Sequence, residues 1–101
     1  MNVFMMTGPT VNLTAGTTSG AVAISTGSNG PGFSIIRIRN TGTVEAFVEF
    51  GGAAVTATTS ASAPVAPGTV EAFRVPQGVT HAAAVTASGS AIVYFTPGEG
   101  A

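Results

Sequence analysis

No long stretch of this chain can stay helical. Its 14 glycines and 6 prolines recur every few positions among valine, isoleucine and threonine, and no window keeps apolar residues at i, i+3, i+4 and i+7. What remains is a series of short extended segments. β-branched and aromatic residues collect in short runs, separated by the turn formers TSG, GSNGPG, NTG, GG, APG, PQG and SG. The pattern predicts strands at 10–15, 20–25, 33–39, 43–50, 53–59, 69–75, 80–87 and 90–96. It therefore predicts an all-β fold, a single small β-sandwich of about eight short antiparallel strands, jelly-roll or immunoglobulin-like in type. A chain of 101 residues buries one core at most. Residues 10–101 are expected to form the sandwich and residues 1–9 an N-terminal arm.

Two of the turns suggest hairpins with a definite register. A three-residue loop at Asn40, Thr41 and Gly42 sets Arg37 opposite Glu45, Ile35 opposite Phe47, Ile38 opposite Val44 and Ile36 opposite Ala46, which sorts charged and apolar partners together. A turn at Ser88 and Gly89 pairs Val85 with Ile92, Ala83 with Tyr94 and Ala82 with Phe95, in a hairpin largely apolar on both faces. The chain also echoes itself. GTVEAF occurs at 42–47 and again at 68–73, and AAVTATTS at 53–60 is followed by the similar AAVTASGS at 83–90. Two similar strand-turn-strand units, or a chance effect of small-residue bias, both account for the echo. Two copies at an irregular spacing do not make a solenoid.

Chemistry finds little to build with. Lysine, aspartate and cysteine are absent, and the cations are Arg37, Arg39 and Arg74. A disulfide framework and a thiolate metal site are excluded on supply, and a phosphate-binding surface has almost nothing to build from, so no nucleic-acid partner is expected. His81 is the only histidine, and nothing in the spacing joins it to Glu45, Glu49, Glu71 or Glu99 as a catalytic set. Glu45 and Glu49, four residues apart on an extended strand, would stand roughly 13 Å from each other, too far for a direct carboxylate pair. No acidic cluster suits a hard cation, and the glycine-rich turns lack the lysine of a phosphate loop. No enzyme, cofactor, metal or small-molecule substrate is expected. Residues 1–36 are uncharged but interrupted by glycine, proline and asparagine, so no membrane span is expected, and MNVFMMTGP lacks the basic start of a secretory signal.

Composition points instead to contact with other proteins. Only 7% of the residues are charged, the net charge is −1 and the mean hydropathy is +0.48, so a free protomer shows neutral faces and sheet edges without lysine to guard them. Alanine fills many apolar positions and buries little area, so assembly is expected to add the missing burial, as a dimer or trimer. Contacts made by so uncharged a surface should depend little on salt. Two segments are candidate contacts. Val3, Phe4, Met5 and Met6 form an apolar cluster at an end that is usually polar, which suggests a docking arm or a strand folded onto the sandwich. Pro64 and Pro67 lie in the connector TATTSASAPVAPG and fit the spacing of a PxxP ligand, although such connectors are more often plain linkers.

The segment FRVPQGVTHAAAVTASGSAIVYFTPGEG at 73–100, above all its ending YFTPGEG, resembles small structural proteins of tailed bacteriophages; RIRNTGTVEAFVEFG upstream is similar in a less specific way. The resemblance implies a virion component made in the bacterial host cytoplasm, most plausibly a capsid decoration (cement) protein on the capsid surface, with the major capsid protein as partner. Its alternative is a tail, neck or fibre accessory that binds other virion proteins or a host surface glycan, and no catalytic residue carries over. A self-assembling coat is a further alternative, suggested by the unguarded edges.

Overall fold

The structure, a computed structural model of the chain, describes residues 5–6, 10–24, 33–76 and 79–99. These contain strands β1 (Met5–Met6), β2 (Val11–Ala15), β3 (Gly20–Ala23), β4 (Phe33–Asn40), β5 (Ala46–Gly51), β6 (Ala63–Val65), β7 (Val70–Pro76), β8 (His81–Thr86) and β9 (Ala91–Glu99), with no helix among the described residues. β2 pairs with β9, β3 with β8, β4 with β7 and β5 with β6, all antiparallel. The chain is thus one long ribbon folded back on itself between β5 and β6. The ribbon curls so that β9 also pairs with β4 and β8 with β5, which divides it into two sheets. We call β1/β2-β9-β4-β7 the front sheet and β3-β8-β5-β6 the back sheet. β1 and β2 follow one another along the same edge of β9, with Met5 opposite Glu99 and Val11 opposite Phe95, so each sheet is four strands wide. This nested connectivity is the jelly roll, and it decides between the two sandwich types that the sequence admits.

The core lies between the sheets and follows the period of two. Ile36 and Ile38 on β4, Val93 and Phe95 on β9, and Val48 on β5 are fully or almost fully buried, while Arg37, Arg39 and Ile92 between them face outward. Phe95 meets Phe50 edge-on at 6.5 Å, and Phe50 tilts against Phe73 at 5.9 Å. Alanine supplies the back sheet's share: Ala46, Ala82 and Ala84 are fully buried, and their small side chains leave room for the larger ones of the front sheet.

β8 is buried on both faces, as its sequence suggested, but the reason is not a hairpin with β9. Residues 52–62 form a flap over the outer side of the back sheet. There Val55 and Ala57 close on Phe47, Ala83 and Val85 to make a second, smaller apolar cluster. The segment 53–59, expected as a strand, is this flap. Gly51 and Gly52 end β5, and the backbone then bonds locally, with the Val55 amide donating to the Gly52 carbonyl at 3.0 Å. Side chains complete the clasp. The Ala57 amide donates to Ser19 Oγ at 2.8 Å, the Thr58 amide to Ser62 Oγ at 2.9 Å, and the Ser62 hydroxyl to Glu49 Oε1 at 2.8 Å.

Neither expected hairpin forms. β4 and β5 lie in different sheets, so the pairings Arg37–Glu45, Ile35–Phe47, Ile38–Val44 and Ile36–Ala46 do not occur; nor do Val85–Ile92, Ala83–Tyr94 and Ala82–Phe95, because β8 and β9 are also in different sheets. Both turns are arches that carry the chain across the sandwich. Asn40 shows why. Its side chain is fully buried, its Nδ2 donates to the Val44 carbonyl at 2.9 Å and the Val65 carbonyl at 3.0 Å, and its Oδ1 accepts the Gly42 amide at 2.9 Å. A residue that reads as a hairpin former is instead the tie between β4, the arch and β6. Gly42 is required for space, since a Cβ there would stand 2.5 Å from the Ala91 Cβ. At the other arch, Gly89 takes φ +72° and Thr86 Oγ1 donates to its carbonyl at 2.8 Å.

The GTVEAF echo is not a structural repeat. Ala46 of the first copy faces the core and Phe47 lies under the flap, whereas in the second copy Ala72 is exposed and Phe73 packs inward. The same letters are used in opposite phase. AAVTATTS falls in the flap and AAVTASGS in β8 and its arch, so those copies differ too.

Candidate docking surface

Of the proposed contact residues, Val3 and Phe4 lie outside the described residues. Met5 and Met6 pair with Glu99 and Gly98 at the front sheet's edge, as β1. Pro64 is an exposed member of β6, opposite Phe47, and Pro67 is exposed just before Gly68, which takes φ +75°. The connector read as an extended linker therefore contains a strand. Pro64 is tolerated because β6 is an edge that pairs only with β5. The methionines and prolines sit on edges of different sheets and do not combine into one site.

Two of the four sheet edges, β6 and β7, are guarded by means other than lysine. β6 is three residues long with a proline at its centre, which cannot donate to an incoming strand. β7 is longer and carries Glu71 on the side where Phe73 and Val75 face the core, yet Glu71 is exposed. A strand added beside β7 would bury that carboxylate.

The titratable residues are scattered. His81 begins β8 between Ala23 and Gly51, half-buried, with its Nδ1 2.8 Å from Thr80 Oγ1, and it does not lie beside Tyr94, which belongs to the other sheet. Glu45 is exposed in the first arch, and Glu49 on β5 holds Ser62, so the two do not share a strand. Among the described residues no three of His, Cys, Asp or Glu group as metal ligands, no pocket opens, and no buried side-chain polar atom lacks a hydrogen-bond partner.

The outer side of the front sheet has the most distinctive surface. Register lays it out in rows: Thr14 and Ile92; then Asn12, Tyr94, Arg39 and Val70; then Thr96, Arg37 and Ala72; then Gly98, Ile35 and Arg74. Val70 and Ile92 are 49% and 41% exposed, the large apolar side chains most open to water among the described residues. All three cations of the chain stand here. Arg37 and Arg39 sharing a face is legible from their spacing of two, whereas Arg74 joins them only through the β4–β7 pairing, which no local signal announces. No protein-family model matches this chain, and no curated protein matches it significantly.

Proposed function

We propose that the chain is a non-enzymatic structural protein of a tailed-phage virion, a decoration (cement) protein that docks on the major capsid protein as a dimer or trimer. The observation that carries a docking role is the outer front face, which no described residue roofs, with Tyr94, Arg39 and the exposed Val70 in one row and the exposed Ile92 in the next. Arginine and tyrosine are enriched at protein interfaces and supply much of their energy. The virion setting rests on the resemblance of residues 73–100 to small phage structural proteins. Multivalency suits the role, because an oligomer bridging several shell subunits holds on through individually weak contacts.

Light scattering of the purified chain, followed by sedimentation with empty phage heads, tests this reading. A dimer or trimer that pellets with heads is the expected result. A monomer that stays in the supernatant contradicts it. The second reading, a tail, neck or fibre accessory that binds other virion proteins or a surface glycan, draws on the same face, where Tyr94 offers one aromatic platform beside Asn12 and Thr96. Binding on a glycan array without binding to heads would favour it.

A further inference from the structure

β3 is the edge of the back sheet opposite β6, and it carries neither a charged residue nor a proline. Its hydrogen bonds show which backbone groups are spare. The Ile24 amide donates to the Thr80 carbonyl at 2.9 Å, one step beyond the Ala23–His81 pair. In an antiparallel ladder bonded and unbonded pairs alternate, so Val22–Ala82 and Gly20–Ala84 exchange hydrogen bonds, whereas Ala21–Ala83 and Ala23–His81 do not. The N–H and C=O groups of Ala21 and Ala23 therefore point away from β8, and no described residue bonds to them. Both side chains are exposed methyl groups, while Val22 between them is half-buried and packs against the core.

Such an edge is its own complement. Lay a second β3 antiparallel to the first about a two-fold axis at Val22, and Ala21 of each copy falls opposite Ala23 of the other. Each of these pairs closes two hydrogen bonds. Many extended segments can satisfy spare backbone groups, but a second copy does so with its register set by symmetry and no charge to bury. The adjoining edge, β2, is less suited. The Thr41 amide donates to the Ile92 carbonyl, which fixes the phase of β9 and turns the free backbone groups of β2 outward at Asn12 and Thr14. There the exposed Asn12 side chain competes for the same groups.

We propose that β3 is a self-pairing edge, where a second copy of this chain adds its own β3 and joins two back sheets into one. The inference deepens the oligomer part of the reading above, because it names the edge and selects the dimer over the trimer. A two-fold axis through such a pair runs normal to the sheet, so the outer front faces of both copies turn to the same side. The dimer then offers two equivalent docking faces to one surface, as multivalent attachment requires.

Sedimentation velocity over about 5–500 μM, a range suited to a small interface, is expected to show the 9.8 kDa monomer passing into a dimer. Ala21→Pro removes one outward N–H and spares the bonds to β8, and is expected to weaken the dimer at least about tenfold. Asn12→Pro makes the same change on β2 and is expected to leave the dimer unaltered. Far-ultraviolet circular dichroism confirms that both variants fold. Amide hydrogen exchange on the unaltered chain needs no variant: Ala21 and Ala23 are expected to slow as concentration rises, and Asn12 and Thr14 to stay fast. A monomer at every concentration, a trimer, a dimer indifferent to a folded Ala21→Pro, or a dimer lost in a folded Asn12→Pro would each overturn the proposal. So would slow exchange of Ala21 and Ala23 at the lowest concentration, the sign that another segment of the same chain fills the edge. Sedimentation with heads separates its failure from that of the virion reading. A dimer that ignores heads leaves the β3 edge standing and removes decoration, whereas a chain that binds heads but stays monomeric leaves docking standing and removes the edge.

Discussion

The outer sides of the two sheets are built on the same alternation and end up in opposite states. On the back sheet, Phe47, Ala83 and Val85 point outward and are then roofed by Val55 and Ala57 of the flap, so that an outer face becomes a second interior. On the front sheet, Ile92, Tyr94, Arg39 and Val70 point outward and meet no such cover from the described residues. Apolar outward positions on a jelly roll therefore have two fates. The chain covers one set itself, and no described residue roofs the other, which carries arginine. The flap turns about four alanine and valine positions into stability, while Val70 and Ile92 on the front face keep much of their apolar area exposed.

Charge placed on each face tests the contrast most severely. Val85→Asp puts an unpaired carboxylate under the flap and is expected to cost about 3–5 kcal/mol, enough to unfold much of a small domain. Ile92→Asp, at an outward position on the front sheet, is expected to cost less than about 1 kcal/mol. Chemical denaturation of both variants checks the pair, and equal losses would erase the distinction. Next comes the corner that joins the sheets. Asn40→Ala strands the buried Val65 carbonyl and releases the Val44 carbonyl and the Gly42 amide, an expected loss of about 3 kcal/mol in the same measurement.

A smaller effect is expected from loosening the flap. Ser62→Ala removes the acceptor of the Thr58 amide and the donor to Glu49 at a cost of about 1–2 kcal/mol. Hydrogen exchange should then quicken in residues 52–62 while β9 stays protected. Smallest of all, Arg39→Ala is expected to change the stability by less than about 0.5 kcal/mol, because the side chain is exposed on the bare face. A loss of several kcal/mol would mean that the arginine serves the fold.

The longer strands were legible in the sequence, because Ile36, Ile38, Val93 and Phe95 declare their alternation locally. Their partners were not. Among the described strands, only β5 and β6 are neighbours in sequence that also pair, so the NTG and SG turns, which usually announce hairpins, here carry the chain between sheets. Asn40 signalled a turn correctly, but its partner Val65 is 25 residues away, beyond any local signal. The segment 53–59 has the composition of a strand and became a flap because Gly51 and Gly52 release it from β5. β6 was passed over because Pro64 and Pro67 argue against a strand, an argument that does not hold at an edge. The arginine face lay half in view, its second half hidden in the β4–β7 register.

The most direct test of the account is hydroxyl-radical footprinting of the chain, free and bound to heads, read at single residues. The account predicts that Tyr94, Ile92 and Val70 lose reactivity on binding, while Val55 and Phe47 keep the low reactivity they already have in the free chain. Protection that falls on residues 52–62, with Tyr94 and Ile92 unchanged, would contradict it.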